Sequence, residues 1–195
     1  MLRLMARIAE EFEVDRLPSQ AAMLKAFAQK ATGEEQIGAL VAASANIIDE
    51  ALDAERIDLA DALSASVYRA CMADAGRAFR PVALARRREV QELRDEWEKV
   101  EVAREVLKSN PNDESAHTAL ARWYSLHGNR WDQALPHYAK GANPELKKLA
   151  DQELNSPPED PVTQIALADA WWELAKSCEG EAKDALMLRA AYWYE

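Results

Sequence analysis

Two stretches of this chain repeat one another. Residues from Ala103 to Tyr124 lie over those from Ala150 to Trp171 at a constant offset of 47 positions. Under that offset Ala103 meets Ala150, Leu107 meets Leu154, Ser109 meets Ser156, Pro111 meets Pro158 and Asp113 meets Asp160. The run Ala119-Leu120-Ala121 meets Ala166-Leu167-Ala168, and Tyr124 meets Trp171. A period of roughly 40–47 residues built from helical pieces marks a stacked-helix solenoid, whose units bury their apolar faces against their neighbours. A fold of that kind more often holds other molecules than transforms them. The repeat therefore points to binding or scaffolding.

The rest of the chain agrees with helices. Of 195 residues, 49% are hydrophobic and 30% charged, with only 6 Gly; alanine is abundant and no long stretch alternates with period two. That is the composition of a folded, helix-rich protein large enough to need neither disulfide nor metal. A net charge of −10 disfavours nucleic acid, because a duplex-binding protein needs a basic face to displace counterions. Cys71 and Cys178 stand far apart without ligand spacing and read as small buried hydrophobes. No apolar run is long enough to span a membrane, and no signal-peptide pattern opens the chain. The first residues already read as helix, with Leu4, Ile8 and Phe12 on one stripe. The last, Ala190 to Glu195, stop in an aromatic helical run without a terminator. Both ends read as cuts in a longer protein.

Between those ends the spacing predicts a helix from Pro18 to about Ala31 (apolar side Leu24, Phe27, Ala31) and, after a turn at Thr32-Gly33 and an acid-rich first turn, a helix through Ile37, Leu40, Val41, Ile47, Ile48 and Leu52, with small Ser44 in step. A further helix from about Asp58 carries Leu59, Ala62, Leu63, Val67 and Ala70, with Ser66 as its small member, until Gly76 breaks the run. Pro81 suits the first turn of a long helix reaching about Leu107, a length of about 40 Å. Asn112 or Asp113 is the expected N-cap of the next. Short helices follow at about 114–127, 131–140, 144–154 and 161–177, and a last one begins near Gly180.

Within the repeat, Leu120-Ala121-x-x-Tyr124 is followed by Ala134-x-x-x-Tyr138 and then Pro144. The second copy reads Leu167-Ala168-x-x-Trp171 and later Ala190-x-x-x-Tyr194. This small–large frame resembles the tetratricopeptide repeat, although the second copy inserts about ten residues, including Cys178-Glu-Gly180, between its helices. A closer resemblance is to a family of uncharacterised helical-repeat proteins of planctomycete bacteria. It is carried by Phe12-Glu-Val-Asp15, Asn110-Pro-Asn-Asp113, Trp131-Asp-Gln-Ala-Leu-Pro136, Lys140-Gly-Ala-Asn-Pro-Glu-Leu-Lys147, Leu167-Ala-Asp-Ala-Trp-Trp-Glu-Leu-Ala175 and Arg189-Ala-Ala-Tyr-Trp-Tyr-Glu195. The resemblance implies export or a place in the cell envelope, and sequence beyond both ends of this chain. It supplies no catalytic residues.

In such repeats the first helix of each hairpin lines the inner face. That frame places Ser115, Thr118 and Arg122 in a groove in one unit, and Ile165, Asp169 and Trp172 in the next. The six tryptophans all lie from Trp97 onward. Most read as core, since each buries roughly 150–250 Å². Adjacent Trp171 and Trp172 point about 100° apart on a helix, so with Trp171 in the core place of Tyr124, Trp172 is the candidate binding aromatic. The cluster Arg77, Arg80, Arg86, Arg87 and Arg88 is followed at once by Glu89, Glu92, Asp95, Glu96 and Glu98, the pattern of a solvated face. His117, His127 and His137 share no helical phase and read as structural or exposed. No metal-ligand, nucleophile-elbow or phosphate-loop motif occurs.

The sequence thus predicts an all-α, right-handed α-solenoid of about ten helices, tetratricopeptide-like. It has a helical-hairpin region over 1–108 ending in the long helix, and two repeats over 109–195. The expected role is a non-catalytic scaffold that captures a peptide or partner domain, with no cofactor, no metal, no nucleic acid and no membrane insertion. Alternatives are a carbohydrate-binding or envelope accessory module, or a structural spacer for another domain.

Overall fold

A computed structural model describes residues 15–195. They form nine α-helices, and no strand occurs among the described residues, so the chain is all-α. The helix expected over the first twelve residues lies outside the described residues. By contact the chain divides into two compact units, Met1–Asp95 and Glu96–Glu195.

The first unit contains α1 (Arg16–Ala28), α2 (Glu34–Asp53), α3 (Ile57–Ala70), a short 3₁₀ turn (Asp74–Gly76) and the first half of α4 (Arg80–Ser109). The starts of α1 and α2 have a local cause. Asp15 accepts the Leu17 N–H at 3.2 Å, and the Gln36 side chain reaches back to the N–H groups of Thr32 and Gly33 at 3.1 and 3.4 Å, meeting donors that a helix N-terminus leaves open. Helix α2 buries Ile37, Leu40, Ser44, Ile47 and Ile48, as its spacing predicts. Of the expected apolar side of α1, Leu24 is buried but Phe27 stays exposed; Leu17, Gln20, Ala21 and Ala28 complete the buried face.

In α3 the buried stripe is rotated from the expected one. Ile57, Ala60, Leu63, Ser64 and Val67 are buried, whereas Leu59, Ala62, Ser66 and Ala70 are only half-buried. Both series contain Leu63 and Val67, so periodicity alone allowed either. Packing against α1 and α2 together selects the face with Ser64. That hydroxyl donates to the Asp61 carbonyl at 3.0 Å, so the small side chain is buried without an open polar group. Gly76 is required by close approach: a Cβ there would lie 2.5 Å from the Cys71 Cα.

The arginine cluster is not a solvated face. Arg80 donates to the carbonyls of Cys71 and Met72 at 3.2 and 2.9 Å, closing the C-terminal end of α3. Arg86 pairs with Asp49 of α2, and both Arg87 and Arg94 pair with Asp61 of α3. These contacts fasten α4 to its neighbours, while Arg77 and Arg88 remain exposed.

The second unit holds the end of α4 and α5 (Glu114–Leu126), α6 (Trp131–Tyr138), α7 (Pro144–Asn155), α8 (Pro161–Lys176) and α9 (Gly180–Tyr194). Matched positions in the two copies of the sequence repeat have matched local surroundings. Asp113 caps α5 by accepting the Ala116 N–H at 2.9 Å, and Asp160 caps α8 by accepting from Val162 and Thr163 at 2.9 and 3.1 Å. Leu120 and Leu167, Ala121 and Ala168, and Ala103 and Ala150 are buried in both copies. Helices α5 and α6 form one hairpin and α8 and α9 another; α7 touches both α6 and α8, and α9 also meets α5.

Candidate functional site

The second half of α4 and the outer face of α5 line a cleft of about 330 Å³. Ser115, Thr118 and Arg122, at helical spacings of three and four, all line it. Val100, Leu126 and the buried Trp123 add its apolar surface. The Trp123 ring is fixed from two sides, 5.0 Å from Trp97 and 4.3 Å from His127 between centroids.

The polar groups of the cleft differ in how they are held. Thr118 Oγ1 donates to the Glu114 carbonyl at 2.8 Å and accepts the Ala142 N–H at 3.0 Å, so it ties α5 to the turn before α7 and forms wall. Glu96 is engaged by His127, Oε2 to Nε2 at 2.7 Å. Lys99 and Arg122 form no ion pair among the described residues, and Arg122 is exposed. The cleft therefore combines an aromatic and aliphatic floor with two uncommitted cations.

The second expected set sits elsewhere. Ile165 and Trp172 on α8 are 50% and 37% exposed, beside exposed Val162. Asp169 between them accepts the Tyr194 hydroxyl at 2.5 Å, a bond that raises the pKa of that phenol. None of the three lines the α4–α5 cleft. Trp171 is fully buried and donates through Nε1 to Glu153 Oε2 at 3.0 Å, so the two adjacent indoles do divide between core and surface.

Two arrangements escaped sequence reasoning. Glu96 and Lys99 join the cleft from α4, a contribution that depends on how α4 lies against α5. His117 and His137 meet Nδ1 to Nδ1 at 2.8 Å across the α5–α6 hairpin. His117 stands eleven residues before Gly128 and His137 eight after Asn129, the turn where both residues have positive φ, so no symmetry of spacing announces the pair. Among the described residues no group of three or more His, Cys, Asp or Glu side chains is placed to hold a metal. Cys71 and Cys178 are free thiols, and burial pushes the pKa of Cys71 up, against a smaller opposing pull from Arg80. No described helix is long and apolar enough to cross a membrane.

Comparison of the chain with protein-family models, with curated proteins and with solved structures finds no match.

Proposed function

We propose that this chain is a non-catalytic interaction scaffold whose α4–α5 cleft takes up an extended peptide or a projecting loop of a partner domain. The observation that carries this reading is the convergence of Ser115, Thr118 and Arg122 on one cleft with Lys99 and the Trp123 floor. Its volume lies within the range of ligand pockets, roughly 300–1,000 Å³. Walls made by two helices stay rigid, so little ordering entropy is lost on binding. Two unpaired cations favour a segment with an acidic side chain at that point. In this reading hairpins α5–α6 and α8–α9 belong to a right-handed, tetratricopeptide-like solenoid. Kinship with the planctomycete helical-repeat proteins, and with it export, is part of the same proposal.

The test is selection from a displayed random-peptide library with the purified chain, followed by affinity measurements on the enriched peptides. Enriched sequences should carry an acidic residue, and Arg122→Glu should weaken them at least tenfold while helicity is unchanged. Enrichment of nothing, or equal affinity for parent and Arg122→Glu, overturns the reading. Trp172, with its ring partly in solvent beside Ile165, favours a second reading, a platform for sugar rings. That reading requires a tryptophan fluorescence shift with oligosaccharides that Trp172→Ala removes.

A further inference from the structure

A row of side chains on α5 runs off the end of the α4–α5 cleft. Ser115, Thr118, Arg122 and Leu126 follow one another at steps of three and four, so they share one face of the helix. Leu126 is the last residue of α5. It also lines a second pocket, of about 240 Å³, between the α5–α6 turn and the start of α9. The two pockets therefore adjoin at Leu126, both within the second unit. From α9 the second pocket receives Glu181, Asp184 and Leu188, again at steps of three and four. All three are exposed, Leu188 by 61%.

The titratable side chains that line the two pockets are Glu96, Lys99, Arg122, His127, Glu181 and Asp184. Glu96 and His127 engage one another at 2.7 Å. That leaves two cations, Lys99 and Arg122, on one side of Leu126 and two carboxylates, Glu181 and Asp184, on the other. None of these four forms an ion pair among the described residues. Two further charges lie near. Lys183 falls between the carboxylates in sequence, but off their stripe and outside the pocket lining. Arg130 is engaged: its Nε donates to the His127 carbonyl at 3.3 Å, and its guanidinium covers the Tyr124 ring. Apolar surface underlies both halves, from Val100 and Trp123 in the cleft and from Ala185 and Leu188 in the second pocket. A surface with a cationic half and an anionic half about one centre complements itself when turned by 180°. A two-fold axis at Leu126 sets the cations of one copy against the carboxylates of the other, twice over, with the two Leu126 side chains between them. A ligand of one charge satisfies only one half.

We propose that this surface forms a two-fold dimer of the chain, in which the start of α9 of each copy, with Glu181, Asp184 and Leu188, occupies the α4–α5 cleft of the other. The proposal rests on the reading of that cleft as an acceptor of acidic segments, and it names a second copy as the occupant.

The experiment is sedimentation velocity of the whole chain over a concentration series reaching the submillimolar range. A reversible monomer–dimer equilibrium is expected, weaker in high salt and going no further than the dimer, because a two-fold contact closes on itself. Arg122→Glu and Asp184→Lys, both at exposed positions, should each weaken association at least tenfold by setting like charges together. An equimolar mixture of the two variants should dimerise as the parent does, since each then carries the charge that the other needs. The double variant Arg122→Glu, Asp184→Lys should do so alone. A chain that stays monomeric, association unaltered by either single change, or a mixture no stronger than the single variants overturns the proposal. Growth beyond the dimer also overturns it, because that means an open head-to-tail contact. The two readings fail separately. A monomeric chain that still selects acidic, Arg122-dependent peptides from the displayed library sinks the dimer alone, whereas one that selects none sinks both.

Discussion

His117 Nε2 lies 3.0 Å from the Pro111 carbonyl, which only accepts, so that nitrogen carries the proton of His117. Its Nδ1 faces the Nδ1 of His137 at 2.8 Å, where one nitrogen donates and the other accepts. Burial lowers the His137 pKa from 6.5 to about 4, helped by His117, Lys140 and Arg104. A depressed folded-state value means that the unfolded chain binds more protons between those limits. Stability from this residue is therefore present above pH 6.5 and drains away as pH falls toward 4, by at most about 3 kcal/mol. Urea unfolding at pH 7 and pH 4.5 should show a smaller acid loss for His137→Gln than for the parent; equal losses would refute the assignment. A second buried polar contact joins α7 to α9. Glu153 pairs with Arg189, their side chains 3% and 11% exposed, and the guanidinium lies 4.5 and 5.2 Å from the Tyr192 and Trp131 ring centroids. Burial lowers the Arg189 pKa to about 10, so it stays charged at neutral pH. Glu153→Gln keeps an acceptor for Trp171 but strands that charge, and should cost about 3–5 kcal/mol. The double change Glu153→Gln, Arg189→Met should recover most of it in a denaturation cycle. Neither pair could be read from spacing, because each joins helices whose contact only packing defines.

At the scale of elements, starts were more legible than faces. Capping is a matter of a few neighbouring residues, so turn chemistry narrowed the N-cap of α5 to Asn112 or Asp113, and the repeat lays Asp113 over Asp160. Thr163, through its hydroxyl and its backbone N–H, together with the Val162 N–H, holds the Asp160 carboxyl below its usual range. The long helix expected from Pro81 is α4, 30 residues in one piece. The face of α3 was not legible, since Leu63 and Val67 satisfy two stripes and the choice belongs to α1 and α2. Glycines at element ends separate similarly. Gly76 meets the Cys71 backbone, whereas nothing lies within 4 Å of a Cβ at Gly33. Gly76→Ala should therefore destabilise by about 1–3 kcal/mol, since backbone must move to admit the methyl. Gly33→Ala should change the thermal midpoint far less, and similar losses in both variants would sink the argument from close approach.

For the whole molecule, each unit has its own apolar cluster. One centres on Ile37, Leu40, Ile48, Leu63 and Val67, the other on Trp131, Tyr138, Leu167 and Trp171. All six tryptophans fall in the second unit, so indole fluorescence reports that unit while far-UV dichroism reports both. Leu63→Ala should cost the first unit about 2–5 kcal/mol. The expected outcome is an earlier dichroism transition with the fluorescence transition unmoved; two curves that shift together would mean a single cooperative unit. By itself the sequence determined the helical class, most helix limits, the duplicated caps and the division of Trp171 from Trp172. Those depend on short-range periodicity, turn chemistry and the 100° step of a helix. Only the tertiary structure decided which face α3 buries, that the arginines of α4 latch onto Asp49 and Asp61, that Glu96 and Lys99 complete the cleft, and that two histidines meet. Each of these depends on distances between helices far apart in the chain, which are set by the fit of whole side-chain surfaces.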